Sequence, residues 1–389
     1  MTHDPILSVR GLQIRFGLRG RTLHAIRDID LDLYRGEVLA LVGESGSGKS
    51  VFTKSFMGLL DANGRITGGS IDYYPTPGCT PLHLAALKTE KEWLAVRGRE
   101  IAMVMQDPMT SLNPLKTIGE QITEAVTLHQ GLKGAAAREK TLEYLRDVGI
   151  SDPALRYKQY PHEFSGGMRQ RVVIAIALAC NPKILLCDEP TTALDVTIQA
   201  QILQLLRQMR EKYHLTIVLI THQMNVVQQI ANRVAVISSG KVVESGSVYD
   251  VFAAPRQPVT KRFISTAISG IPEESRINTM HEENLGHIVT VLIRQHDVEE
   301  REDGTVIAAS GQNISQLIAK HGVRSSLLYG GIDTVNGVAI GAITYEFGGD
   351  NVESFLNELA QNSDIVDFGT AAQPIPYEQA LIRAGQEQA

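Results

Sequence analysis

Short runs, apolar but for a single threonine in the last, punctuate this chain, and each ends abruptly in polar or small residues. Val38 to Val42 is the first, Ile101 to Met105 the second, Ile184 to Cys187 the third and Leu215 to Ile220 the fourth. Runs of four to six apolar residues without alternation predict strands buried on both faces, as in a parallel sheet. Between them the spacing turns helical: Val51 to Leu60, two helices within residues 117–150 split by Gly131 and Gly134, Val172 to Cys180, and Val196 to Met209. Leu142, Leu145 and Val148 share one face of the second helix in 117–150. Ahead of the first apolar run, Leu7 to Phe16 and Ile26 to Leu33 alternate, which predicts two strands turning at Gly17 and Gly20. Residues 61–100 are less regular. They read as a turn over Gly64 to Gly69, a strand over Ser70 to Tyr74, a loop at Pro75 to Gly78 and a helix within Leu82 to Leu94. Asp107-Pro108 and Asn113-Pro114 then force a loop.

After Pro255 to Pro258 the pattern changes. A polar stretch through Ser269-Gly270 and the charged segment Glu273 to Glu283 reads as a linker. Beyond it come an alternating strand from His287 to Arg294, a helix from Ile314 to Lys320, and a hairpin of Ser326 to Ile332 with Val338 to Phe347 around Asn336-Gly337. A helix from Val352 to Gln361 and a strand from Ile365 to Phe368 complete β-α-β-β-α-β, the ferredoxin-like order. The expected division is an α/β domain over 1–255 with a helical subdomain about 107–180, a linker over 256–284, and an α+β domain over 285–389.

Composition narrows the function classes. A chain of 389 residues is long for one core, and its 43% hydrophobic and 21% charged content is ordinary for globular domains. A net charge of −6 gives no basic stripe for nucleic acid. Cys79, Cys180 and Cys187 have neither metal-type nor disulfide-type spacing, which fits a reducing cytoplasm. Met1 to Pro5 lacks the features of a signal peptide, and the apolar run Val172 to Cys180 is far short of the ~20 residues that span a bilayer. Any membrane role must therefore come through a partner.

The chemistry gathers at the ends of the apolar runs. Gly43-Glu44-Ser45-Gly46-Ser47-Gly48-Lys49-Ser50 fills the G-x-x-x-x-G-K-[ST] phosphate-binding pattern between a strand and a helix. Its glycines let backbone amides turn around phosphates, where Lys49 reaches the β/γ-phosphates and the Ser50 hydroxyl holds Mg²⁺. Asp188-Glu189 places two acids at the end of a buried strand, a costly arrangement unless a metal or water meets them. Asp188 fits the metal role, and Glu189 fits acceptance of a proton from an attacking water. Gln106, ending another strand, is placed to reach Mg²⁺ or that water, and His222 to meet a phosphate. Ser165 reads as the N-cap of a helix opened by Gly166-Gly167, a second anion site. Phe16 reads equally as a platform for a purine or as an edge-strand core residue.

The order of these pieces resembles the ATPase subunit of ABC transporters over roughly residues 6–250. Gly43 to Ser50 is similar to Walker A, Gln106 to the Q-loop, and Phe164-Ser165-Gly166-Gly167-Met168 to the signature motif. Ile184 to Glu189 is similar to Walker B, Ala193-Leu194-Asp195 to the D-loop, His222 to the switch histidine, and Phe16 to the adenine-stacking aromatic. The resemblance implies a P-loop NTPase fold, a RecA-like core plus helical subdomain, with ATP and Mg²⁺ as cofactors. It implies that two ATPase subunits, a homo- or heterodimer, sandwich ATP, with the signature of one facing the phosphate held by the other. Glu189 is then the general base, and His222 contacts the γ-phosphate. The signature departs from the commonest form at Phe164 and Met168 but keeps Ser165 and both glycines. Phe164 to Arg171, Gln106 to Pro114 and Asp188 to Thr197 resemble the ATPases of dipeptide, oligopeptide and nickel importers, although the cysteine-rich cluster common there is absent after Cys187.

The tail, ferredoxin-like and ACT-like, resembles the small C-terminal domain of methionine-importer ATPases, which binds methionine between paired copies and restrains hydrolysis. Lys183 to Glu189 and Leu219 to Met224 lean the same way. These resemblances imply an importer motor on the cytoplasmic face of the cell membrane, engaging permease subunits and, through them, an extracellular solute-binding protein. Its solute is expected to be methionine or a related amino acid, with peptides or nickel as the alternative. A soluble ATPase of the same superfamily is the reading from another class. Only one Walker A occurs, and no sustained heptads of a repair ATPase appear.

Overall fold

The computed structural model describes residues 4–18, 20–192, 194–253, 255–265, 271–283, 286–293, 298–300, 306–335 and 338–383. Ala193 of the D-loop, Ser269-Gly270, Arg294 and the Asn336-Gly337 turn lie outside the described residues. The chain divides into two compact units, 1–246 and 247–389.

The first unit opens with an antiparallel pair, β1 (Pro5–Leu18) and β2 (Arg21–Tyr34). The fully buried β3 (Val38–Val42) runs into α1 (Lys49–Ser55). Next come β4 (Gly64–Tyr73), β5 (Leu82–His83), α2 (Glu90–Leu94) and β6 (Ile101–Val104). A helical region follows: α3 (Pro108–Ser111), α4 (Ile118–Gln130), α5 (Gly134–Asp147), α6 (Pro153–Arg156) and α7 (Gly166–Ala179). β7 (Ile184–Asp188), α8 (Val196–Tyr213), β8 (Thr216–Thr221), α9 (Met224–Ile230), β9 (Arg233–Ser238) and β10 (Lys241–Ser247) complete it.

Among the described residues these strands form a four-stranded sheet ordered β2-β1-β4-β5 and a six-stranded sheet ordered β10-β9-β3-β8-β7-β6. β9, β3, β8, β7 and β6 run parallel, and β3, β7 and β8 are buried along their whole length. That two-sided burial is why their sequences read as unbroken apolar runs. The same parallel order brings the ends of β3, β6, β7 and β8 to one edge, the usual place for ligands on such sheets.

Several expectations are corrected, among them the loop at Asp107-Pro108, where Asp107 instead caps α3 through the Met109 N–H. Gly64 to Gly69 is not a turn but the first half of β4, which pairs with β1. Gly69 sits at φ 81, beside register shifts between Arg10 and Ile14, and a Cβ there would lie 2.4 Å from the Arg10 carbonyl oxygen. The glycines therefore serve a bulge, which in sequence looks like a turn. Leu82 to Leu94 is not one helix, because Thr89 caps α2 in a capping box with Glu92 and so starts a new helix late in the stretch. Residues 256–284, expected as a linker, hold α11 (Pro258–Ser265) and α12 (Glu274–Glu282), preceded by α10 (Val248–Ala253). Ile277 and Met280 of α12 pack with Ile288, Val366, Phe368 and Ala380, so this helix belongs to the second core.

The second unit continues with β11 (His287–Ile293), the short pair β12 (Val298–Glu300) and β13 (Val306–Ala308), and α13 (Ala309–His321). β14 (Arg324–Val335), β15 (Val338–Gly348), α14 (Val352–Asn362), β16 (Ile365–Thr370), β17 (Gln373–Pro374) and α15 (Tyr377–Arg383) follow. Sheet order β14-β15-β11-β16-β17 with antiparallel pairing is the ferredoxin-like arrangement plus one short edge strand. Ile314, Leu317, Phe355 and Leu359 from α13 and α14 cover one set of its side chains, Val289, Val291 and Phe347.

Candidate functional site

The loop from Gly43 to Ser50 is built by glycines that no other residue replaces in place. A Cβ on Gly43 would lie 2.1 Å from the Ile237 carbonyl oxygen, and Gly48, at φ 106, would press on the Ala25 carbonyl oxygen at 2.9 Å. The Ser47 N–H donates to the Glu44 carbonyl at 3.1 Å, and the Gly240 N–H donates to the Ser47 carbonyl at 3.0 Å. Lys49 stretches back under this loop, donating to the Gly43 carbonyl at 2.7 Å and the Glu44 carbonyl at 2.8 Å. Its ammonium is buried, and burial lowers its pKa while Glu189 and Asp188 pull it back up. Ser45 and Gly46 form the exposed crown of the loop.

Opposite the loop, Ser50 Oγ donates to Asp188 Oδ1 at 3.3 Å. Asp188 is only 9% exposed, and its pKa is raised by that burial and by neighbouring Glu189, with the Ser50 hydroxyl working against the rise. A buried acid next to another acid suits a divalent cation, which would offset both charges. Among the described residues no group of three or more His, Cys, Asp or Glu side chains is placed to hold a metal alone. Two protein oxygens with the rest from phosphate and water is how Mg²⁺ is commonly held, so Ser50 and Asp188 fit that ion.

Glu189, one residue on, sits at φ 46, and its N–H donates to the Ile220 carbonyl at 2.9 Å. Its carboxylate gathers the other strand ends. Gln106 Nε2 donates to Oε2 at 2.8 Å, and His222 Nδ1 lies 3.1 Å from Oε1. Gln106 thus has its amide nitrogen on Glu189, which leaves its carbonyl oxygen as a ligand atom. A fourth partner was not foreseen from sequence: the Thr192 hydroxyl donates to Glu189 Oε2 at 2.9 Å. Nothing in the sequence singles it out, since a threonine after a strand end is common and only the fold of the turn brings its hydroxyl back to Glu189.

The remaining expected residues lie elsewhere. Ser165 Oγ caps α7, accepting from the Met168 N–H at 3.4 Å, and Asp195 caps α8 through the Ile198 N–H at 2.9 Å. Gly167 packs against α8, where a Cβ would meet Ile198 Cγ2 at 2.6 Å, and Gly166 lies near Leu194. Among the described residues no hydrogen bond joins Ser165, Gly166, Gly167, Met168 or Asp195 to the phosphate loop. Phe16 is buried at 8% exposure in the core of the first unit, with its ring against Gly64.

Comparison with known proteins accounts for both units. The ABC transporter family profile matches residues 26–192, and that of the NIL domain matches 308–367. The methionine import ATP-binding protein MetN of Bifidobacterium longum is 49% identical over 383 residues, spanning 97% of this chain and 91% of that protein. The oligopeptide transport ATP-binding protein AmiE of Streptococcus pneumoniae is 53% identical, over 67% of this chain and 72% of its own. The dipeptide transport ATP-binding protein DppD of Bacillus subtilis is 48% identical over 68% of this chain and 77% of its own. Among solved structures, the ATP-binding cassette MJ0796 as a dimer bound to ADP and Pi superposes with a TM-score of 0.54 at 27% identity. It covers 62% of this chain and 98% of that one. The cbiO1 structure from Clostridium perfringens, part of the transporter complex cbiONQ, gives 0.55 at 27% identity over 72% and 99%. The chain belongs to the ATPase subunits of ABC transporters, with a C-terminal NIL domain behind the ATPase unit.

Proposed function

We propose that this protein is the ATP-hydrolysing subunit of an importer for methionine or a closely related amino acid. It works at the cytoplasmic face of the cell membrane, as one of two ATPase subunits seated on permease subunits, with an extracellular solute-binding protein delivering the solute. One observation carries the choice of solute. Similarity to the methionine import relative runs through both units, whereas similarity to the peptide transport relatives covers about two-thirds of the chain. Among the described residues no helix is long and apolar enough to cross a membrane, so coupling passes through another chain.

The chemistry follows from the chain's own groups. Lys49 and the turned loop hold the β- and γ-phosphates. A water attacks the γ-phosphorus, its oxygen forming the new bond as the bond to the bridging oxygen of ADP breaks, and its proton passes to Glu189. His222 and Gln106, both on the Glu189 carboxylate, keep that base at the sheet edge where the γ-phosphate arrives. Mg²⁺ on Ser50, Asp188 and the Gln106 carbonyl would neutralise charge on the phosphate oxygens. Signature residues Ser165, Gly166, Gly167 and Met168, with Asp195, act on the nucleotide of the second subunit.

A peptide substrate is the second reading, favoured by 53% identity of the ATPase unit to an oligopeptide transport protein. Thermal unfolding of the full chain separates the two. We expect the melting temperature to rise with millimolar L-methionine and to stay unchanged with dipeptides, oligopeptides or Ni²⁺. For a ligand at about a hundred times its Kd the gain is about 2.7 kcal/mol, well above detection. A rise with peptides and none with methionine overturns the assignment.

A further inference from the structure

Glu189 is constrained at its backbone and at both carboxylate oxygens. Its backbone occupies the left-handed region at φ 46, where residues with side chains are strained. The peptide group is pinned by the Ile220 carbonyl, and the Thr192 N–H returns to the Glu189 carbonyl at 3.2 Å to close a tight turn. On the side chain, Oε1 faces His222, and Oε2 takes both the Gln106 amide and the Thr192 hydroxyl. These donors differ in one respect. Gln106 and His222 stand on separate loops beyond β6 and β8, and the His222 side chain is 52% exposed. Thr192 belongs to the same turn as Glu189, which its N–H closes, and is half-buried.

We propose that Thr192 is a positioning residue for ATP hydrolysis, its hydroxyl fixing the rotation of the Glu189 carboxylate so that Oε1 is the oxygen presented to the attacking water. The inference rests on the reading of Glu189 as general base. Oε2 is taken by two donors, whereas Oε1 meets the His222 ring alone and keeps the greater capacity to take a proton. Without the hydroxyl, Gln106 alone holds Oε2, and the base leaves its reactive orientation whenever Gln106 turns to the metal or the nucleotide.

The test uses steady-state ATP turnover by the purified full chain carrying Thr192→Val, which keeps the shape without the donor, or Thr192→Ser, which keeps the donor without the methyl. Each is also made with Glu189→Gln. We expect Thr192→Val to lower kcat about tenfold, the loss of one hydrogen bond to a charged group, with KM for ATP within about twofold of wild type. Thr192→Ser should retain turnover near wild type. In the Glu189→Gln background Thr192→Val should cost nothing further, because no base remains to be positioned. Wild-type kcat in Thr192→Val overturns the inference, and so does a Thr192→Ser variant as slow as the valine. If Glu189→Gln itself turns over like wild type, the general-base reading fails, and the inference falls with it for that separate reason.

Discussion

Asp188, proposed above to hold Mg²⁺, sits where the fold works against its charge. It is buried beside Glu189, accepts a hydrogen bond from the Ser50 hydroxyl, and its pKa is raised by that burial. A carboxyl whose folded-state pKa lies above its unfolded value favours folding below the unfolded value. That contribution is lost as the pH rises through the folded value. Near neutrality the ionised group therefore opposes folding unless a cation meets it. Asp188→Asn keeps an oxygen for Ser50 and removes the charge. We expect its melting temperature in chelator-containing buffer at pH 7.5 to rise by about 2 °C, the equivalent of about 1 kcal/mol in a unit of this size. ATP turnover should fall on the order of a hundredfold. A melting temperature at or below that of wild type would show that the carboxylate is not under strain. Residues of this kind were legible from sequence because costly groups at the ends of apolar runs demand a reason. Asp188 and Glu189 stood out that way, Lys49 and Ser50 by the phosphate-loop pattern, and Gln106 and His222 by ending strands; the structure sets all six around one sheet edge. Thr192 did not stand out, because a threonine after a strand costs nothing and is unremarkable until its partner is known.

At the scale of elements, parallel strands and amphipathic helices were readable, and the irregular connections were not. β3, β7 and β8 announce themselves by length and two-sided burial, whereas Gly68-Gly69 signals a turn and a bulge equally well. The helix expected from Val51 to Leu60 ends earlier, at Ser55, for a reason that only packing supplies. Gly58 adopts φ 61, and Trp93, from α2, lays its ring where a Cβ would be, 2.4 Å from Trp93 Cε2. Arg97 braces the contact, stacked 5.5 Å over that ring, with Nε donating to the Met57 carbonyl at 2.7 Å. A segment of irregular sequence thereby becomes the clamp on the helix that carries Lys49 and Ser50. Gly58→Ala should cost about 2 kcal/mol from overpacking and left-handed strain together. The measurement is the urea midpoint of unfolding followed by Trp93, the single tryptophan of the chain. We expect a lower midpoint and a shifted native emission. An unchanged midpoint would mean that the ring moves aside freely and the clamp is not one.

For the whole molecule the question is why an ATPase carries a second unit with its own sheet and core. The second unit packs Phe347, Phe355 and Leu359 on one side of its sheet and Ile277, Met280 and Phe368 in another cluster, which gives it core clusters of its own. The NIL match, residues 308–367, falls wholly inside it. Its β-α-β-β-α-β order was legible in advance, yet its ligand was not, since a fold does not name what it binds. If transport is for methionine, this unit is the part free to sense the solute once it is inside. We therefore expect it to slow ATP turnover as the transported solute accumulates. For that to happen the solute must bind the resting conformation more tightly than the active one, because equal affinity for both shifts nothing. A fall of transport to about one-tenth needs about a twentyfold difference in affinity, about 1.8 kcal/mol, in an equilibrium initially favouring the active form only slightly. The measurement is uptake by the assembled transporter in vesicles preloaded with methionine, with intact chain and with chain truncated after Ser269. The truncation removes α12 together with the sheet it packs against, so no half of that core is left exposed. Preloading should slow the intact transporter and leave the truncated one unaffected. If both slow equally, inhibition arises at the ATPase or the permease, and the second unit is a dimerisation module rather than a sensor.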